Sequence, residues 1–127
     1  MPSPTPASAP PTQLFQYRAH ITAVYDGDTC TVDIDLGLGI WVRGEKLRLH
    51  RINAPELRGA DETKGKAARD HLKALIEGKT VLLQTIKDRR EKYGRYLAEI
   101  WLEQPNAAAL NISDALVTAG QARYQDY

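Results

Sequence analysis

The chain has one cysteine, one phenylalanine and one methionine among its 127 residues. A single thiol, Cys30, excludes an internal disulfide framework. With His20, His50 and His71 far apart along the chain, it also excludes a zinc ribbon or finger. No segment approaches membrane-spanning length, and the first residues lack the basic start and apolar run of a secretory signal. A cytoplasmic protein with no membrane partner is the expectation from these absences. An excess of charge of either sign is missing too: 17 Lys and Arg stand against 16 Asp and Glu, a net charge of +1. By itself that total counts against a globally basic nucleic-acid binder. The length suits one domain, and a chain of this size buries on the order of two-thirds of its unfolded surface without metal or disulfide staples.

What is present divides the chain into a tail and a patterned remainder. The opening MPSPTPASAPPT holds five of the seven prolines and no charged or aromatic side chain. It has too little apolar surface to order its backbone, so a disordered Pro/Ala-rich tail is expected over residues 1–13 and one domain over 14–127. Tyr17 to Tyr25 is rich in branched and aromatic residues and ends at the turn signal Asp26-Gly27-Asp28. Thr29 to Leu36 alternates, with Cys30, Val32, Ile34 and Leu36 on one face, which completes a β-hairpin. A third strand is expected from Lys46 to Ile52, with a bulge near His50 or Arg51 where Ile52 breaks the phase. From Asp61 the period changes: Ala68, Leu72, Leu75 and Ile76 form one helical stripe that stops at Gly78. Thr80 to Lys87 and Tyr96 to Leu102 read as two further strands. A last helix opens with Asn111 as its N-cap, turns Ile112, Ala115, Leu116 and Ala119 inward, and ends at Gly120. The order β-β-β-α-β-β-α fits a mainly β fold with two packed helices. A five-stranded OB-type barrel and an open α+β sheet both satisfy the pattern.

The charges are segregated along the chain. Residues 26–35 carry Asp26, Asp28, Asp33 and Asp35 and no base. Residues 43–58 carry Arg43, Lys46, Arg48, Arg51 and Arg58 against two glutamates, and residues 87–95 carry five bases against two acids. Phosphodiester hydrolysis calls for that mixture: oxygen ligands for a hard cation, and guanidiniums for the charge that grows on the phosphoryl oxygens. For any single charge a solvated surface is the ordinary reading, so three short motifs bear the argument. Asp26-Gly27-Asp28-Thr29 places carboxylates at the mouth of a hairpin, though Asp-Gly is also a common turn. Arg48-Leu49-His50-Arg51-Ile52-Asn53-Ala54-Pro55-Glu56 runs an arginine-bearing strand into a loop, where Pro55 restricts Ala54 and aims Glu56. In Lys92-Tyr93-Gly94-Arg95 the glycine permits a tight backbone approach, and the arginine projects beside an aromatic ring. His50 and Cys30 read as structural. Tyr25, Trp41 and Trp101 read as packing residues, although Trp41 lies where a nucleotide can reach it.

Together and in this order, the three motifs resemble the staphylococcal nuclease (thermonuclease-like) family over roughly residues 17–124. The resemblance implies a five-stranded OB-fold barrel with helices and Ca²⁺-dependent hydrolysis of DNA or RNA, with Mg²⁺ tolerated. It assigns Asp28, Asn53 and the Ala54 backbone carbonyl to the metal, and Arg48 and Arg95 to the phosphate and transition state. It makes Glu56 the general base and puts Lys92 and Tyr93 at phosphate-side contacts. Single-stranded or unwound nucleic acid is the implied substrate, and nothing in the sequence calls for a protein partner. Two departures stand out. Asn53 replaces an aspartate, and losing one negative charge weakens a hard-ion site unless Asp26, Asp33 or Asp35 turns inward. The family's substrate-contacting tyrosines near the last helix are matched only loosely by Tyr124 or Tyr127. A non-catalytic OB-type module that holds nucleic acid or protein is the alternative that Asn53 motivates.

Overall fold

The computed structural model describes residues 15–125, the side chains of residues 87–89 excepted. The expected tail over 1–13 and Tyr127 lie outside the described residues. Eight strands and two α-helices follow in the order β1 (Gln16–Asp26), β2 (Thr29–Gly37), β3 (Ile40–Leu49), β4 (Ile52–Asn53), α1 (Glu62–Ile76), β5 (Thr80–Arg90), β6 (Tyr96–Gln104), β7 (Ala107–Asn111), α2 (Ile112–Thr118) and β8 (Arg123–Tyr124). A short 3₁₀ turn, Gly59–Asp61, leads into α1.

Strands β3, β2, β1, β5 and β6 are hydrogen-bonded in that order, and β3 also pairs with β6, which closes a five-stranded mixed barrel. The closing pair is parallel and short, with Leu47, Arg48 and Leu49 opposite Tyr96, Leu97 and Ala98. Beyond that contact β6 continues past the barrel and pairs antiparallel with β7. A barrel is therefore the outcome of the two architectures that the strand pattern allows. Period-two alternation sends Ile21, Cys30, Val32, Leu47, Leu49, Leu83 and Ile100 inward, each fully buried, while Arg48 between Leu47 and Leu49 and Glu99 beside Ile100 are buried polar residues of the other face. Leu36 departs from the expected inward stripe: it sits beyond the end of the core and is 46% exposed.

The helical stripe buries Leu72 and Ile76 in this core, and Ala68 and Gly65, one and two turns earlier, are buried against the β1–β2 turn and the segment after β4. Asn111 caps α2, its Oδ1 accepting from the Asp114 N–H at 3.0 Å. Ile112, Ser113 and Leu116 are the buried residues of α2, whereas Ala119 faces solvent instead of the core. The third strand begins earlier than its alternation suggests and stops at Leu49. Arg51 takes a left-handed backbone (φ 70°) and separates it from the two residues of β4, so the break in phase is a turn between two strands and not a bulge within one. Strand β4 pairs with β8, Ile52 opposite Tyr124 and Asn53 opposite Arg123. No helix among the described residues is long and apolar enough to cross a membrane.

Candidate active site

A cleft of about 380 Å³ opens where the β1–β2 turn, the end of β3, the segment after β4 and the turn before β6 meet. It is lined by Asp26, Asp28, Arg48, Asn53, Ala54, Glu56, Tyr93 and Arg95, together with Tyr25, Leu57 and Arg58. Seven of the eight residues singled out in the sequence thus border one space, although they come from segments up to 67 positions apart. Lys92 does not line it: its ammonium lies 5.0 Å from the centre of the Tyr93 ring.

The Asp26-Gly27-Asp28 turn can sit this deep because Gly27 has no side chain. A Cβ there would lie 2.7 Å from the Ala54 Cβ and 2.8 Å from the Ala68 Cβ, so the turn is wedged between the segment after β4 and helix α1. Gly27 has no positive φ. Space, more than turn conformation, is what the glycine supplies. The Asp28 N–H donates to Asp26 Oδ1 at 3.1 Å, and the Leu49 N–H donates to the Asp28 carbonyl at 2.8 Å, tying the turn to the end of β3.

Asp28 is 8% exposed. Its Oδ2 accepts from the Ala54 N–H at 2.9 Å and lies 3.2 Å from Arg48 Nη2, while Oδ1 accepts from Thr29 Oγ1 at 3.3 Å. Burial pushes its carboxyl up to about 6; Arg48 pulls the other way, and the neighbouring Asp26 adds to the rise. Arg48, 8% exposed, is pinned by three acceptors. Nη1 donates to the Leu49 carbonyl at 2.7 Å, and Nη2 donates to Asn53 Oδ1 at 3.2 Å besides facing Asp28.

Arg95 enters from the turn before β6 and is held by Glu91. Nε donates to Oε1 at 3.0 Å and Nη2 to Oε2 at 3.1 Å, while Oε1 also accepts from the Tyr93 and Arg95 N–H groups. Gly94, at φ 83°, makes the turn that brings Glu91 and Arg95 together. Bonding to Arg95 holds the Glu91 carboxyl below its ordinary range. The Nη1 of Arg95 reaches Thr29 Oγ1 at 3.4 Å, directing the guanidinium toward the Asp28 side of the cleft. Glu56 is exposed at the rim. Its backbone is covered by α1: a Cβ on Gly65 would lie 2.5 Å from the Glu56 carbonyl carbon and 2.9 Å from the Leu57 nitrogen.

Of the three acids that might make good the charge lost at Asn53, Asp26 lines the cleft. Asp33 is spent on Arg43 (3.0 Å) and the Gly44 N–H (3.0 Å), and Asp35 on the Gly37 N–H (2.7 Å). The donor set at the Asp28 end is thus all oxygen, from two carboxylates, the Asn53 amide and the Ala54 backbone, which fits a hard cation by chemistry. No group of three or more His, Cys, Asp or Glu residues with metal-binding geometry is found among the described residues.

Sequence reasoning missed the network that fixes the turn before Asn53. Arg51 bonds Glu99 through Nε at 2.6 Å and Nη2 at 3.0 Å, Asp114 through Nη1 at 3.0 Å, and Asn111 Oδ1 at 3.3 Å. Tyr124 closes it, its hydroxyl donating to Asp114 at 2.8 Å, and the Gln125 N–H donates to the Arg51 carbonyl at 2.8 Å. The partners lie 48 and 63 positions away, so no local pattern announces them. Cys30 is fully buried with its thiol pushed up to about 12, and the His50 carbonyl accepts from Ser113 Oγ at 2.9 Å. Tyr25 and Trp41 differ from their expected packing role, being 64% and 43% exposed.

A family model described as staphylococcal nuclease homologue matches residues 46–127, more than half of the chain. No curated protein matches it.

Proposed function

We infer that this chain, which belongs to the staphylococcal nuclease homologue family, is a metal-dependent nuclease acting on single-stranded or unwound DNA or RNA. The family suggests nuclease or nucleic-acid-binding function, its domains bind nucleic acid, and it is generally Ca²⁺-dependent. One observation carries the finer reading: the guanidiniums of Arg48 and Arg95, the carboxylates of Asp26 and Asp28, and Glu56 border one cleft of about 380 Å³. In this reading residues 14–127 make one domain in which binding and chemistry share the barrel mouth.

Asp28, Asn53 and the Ala54 carbonyl would hold Ca²⁺, with Asp26 as the second carboxylate and Mg²⁺ as a tolerated substitute. The bound ion would supply electrostatic stabilisation of the phosphoryl oxygens. Glu56, at the solvent-facing rim, takes the proton of the attacking water. Arg95, aimed by Glu91, and Arg48, anchored at the end of β3, neutralise the charge that grows on the oxygens of the five-coordinate phosphorus. Tyr93 and Lys92 contact phosphates beside the scissile one.

A cleavage assay on labelled single-stranded DNA and RNA tests this. The expected result is Ca²⁺-dependent shortening of the strand that chelator abolishes and that Arg95→Ala or Glu56→Ala reduces about 10²-fold or more. Either variant cutting as fast as the parent would remove that residue from the mechanism. A second reading, a module that binds without cutting, rests on Arg48 engaging both Asp28 and the uncharged Asn53. Salt-dependent binding with no shortened product under any divalent ion would establish it instead.

A further inference from the structure

A second cavity of about 370 Å³ adjoins the cleft and plays no part in the chemistry described above. Tyr25, Tyr93 and Arg95 border both spaces, so they form the partition between them. The remaining lining is Thr29 and Thr31 of β2 and Lys46 of β3. Thr31 and Lys46 are direct partners in the β2–β3 register, and their neighbours Cys30 and Leu47 point into the core, so this pair stands on the outer face of the barrel.

Two properties set this cavity apart from the cleft. It has no carboxylate, whereas two cationic side chains, Arg95 and Lys46, border it. It is also walled by two aromatic rings that a folded core would normally absorb: Tyr25 is 64% exposed and Tyr93 is 70% exposed. Arg95 and Lys92 lie 5.4 and 5.0 Å from the centre of the Tyr93 ring and restrict where it can swing. Exposed aromatic rings beside two cationic side chains match one nucleotide unit: a base stacked on Tyr25, with its phosphates on the cations. A peptide or a lipid would use the cations but would leave the exposed Tyr25 ring without a stacking partner.

We propose that this cavity is a nucleobase subsite for the nucleotide next to the scissile phosphate, with Tyr25 as its stacking residue and Lys46 as the contact for the following phosphate. The proposal rests on the nuclease reading for the identity of the ligand. It accounts for the single-stranded substrate of that reading, since a base whose faces are covered by its neighbours in a duplex cannot stack on Tyr25.

Binding in EDTA, where no strand is cut, separates this subsite from catalysis. The probe is a short fluorescein-labelled oligothymidylate read by anisotropy, with thermal melts to verify folding. Tyr25→Ala should weaken binding about tenfold, and Tyr25→Phe, which keeps the ring, should stay within about twofold of the parent. Lys46→Ala should flatten the slope of log affinity against log salt by about 0.7, the signature of one phosphate contact on a single strand, while Tyr25→Ala leaves that slope unchanged. Folded Tyr25→Ala binding like the parent would overturn the subsite, as would Tyr25→Phe binding as weakly as the alanine variant. A duplex of the same sequence that competes equally well would also overturn it. If no divalent ion supports cleavage yet binding depends on the Tyr25 ring, the nuclease reading fails and the subsite stands. Metal-dependent cleavage with no Tyr25 dependence leaves the nuclease reading and removes the subsite.

Discussion

Gly65→Ala sets two effects of opposite sign against each other. Position 65 lies inside α1, where alanine is favoured over glycine by about 1 kcal/mol, so helix propensity alone predicts a more stable protein. The new Cβ, however, would sit 2.5 Å from the Glu56 carbonyl carbon, and non-bonded carbons settle at about 3.5–4.0 Å. The obstacle is backbone, which cannot rotate away as the end of a side chain can. Helix and loop must therefore part by about 1 Å, and overpacking of this kind costs about 1–3 kcal/mol. The overpacking should win, lowering Tm by about 4–8 °C for each net kcal/mol lost in a domain of this size. The displaced segment is the one that carries Glu56. Misplacing a reacting group by about 1 Å can cost about 10²-fold, so kcat should fall far more than the stability loss explains. The assay pairs thermal melts by circular dichroism with initial rates on a labelled single strand. Ala67→Gly, at an exposed position of the same helix, is the control: it loses helix propensity without touching Glu56, so its Tm should fall and its kcat should hold. A Gly65→Ala protein with Tm at or above the parent's would refute the close-packing argument.

Three further outcomes follow from the same geometry. Arg51→Met leaves the buried Glu99 carboxylate without its partner; with Arg51 itself 39% exposed in its side chain, the loss belongs at the low end of the range for broken ion pairs, about 2–3 kcal/mol in urea denaturation. Adding Glu99→Gln should recover part of it, and an additive double variant would refute the coupling. Glu91→Gln should loosen Arg95 and reduce kcat with little change in KM. Since Glu91 titrates below its ordinary value, its contribution to stability is present above that value and is lost as pH falls through the lowered one. The parent's Tm should therefore drop more steeply than the variant's on acidification, and equal acid slopes would contradict this. Asn53→Asp adds a charge beside Asp28 and Arg48, so calorimetry should show tighter Ca²⁺ binding; weaker or unchanged affinity would mean that Asn53 does not face the ion.

Local pattern carried much of the architecture. The hairpin was legible because its inward residues alternate without interruption from Cys30 to Ile34, and α1 because Ala68, Leu72 and Ile76 repeat at helical spacing. Asn111 announced the start of α2 by chemistry that acts only three residues away. Strand β7 stayed hidden because Ala107, Ala108 and Ala109 show no alternation and lie on an exposed edge. The first half of β3 stayed hidden for a related reason: Ile40 and Trp41 are exposed and give no inward face. In the candidate site the motifs pointed to the residues of the cleft but not to what holds them. Glu91 lies in a charge run, Gly27 in an ordinary turn signal, and Gly65 in a helix that gives it no local mark. Each owes its role to a group that meets it only in three dimensions. The same holds for Tyr25, whose exposure follows from where β1 ends relative to the barrel mouth.

The parallel pairing of β3 with β6 also has a temporal meaning. Residues 47–49 meet residues 96–98 at a separation of 49 positions, a long-range closure that costs more loop entropy than a local hairpin and so tends to follow it. Asn53 depends on a still more distant pairing, that of β4 with β8 at residues 123–124. The cleft therefore has no precursor in any shorter piece of the chain. During synthesis, a partly emerged polypeptide holds Asp28, Arg48 and Glu56 with nothing to bring them to Arg95.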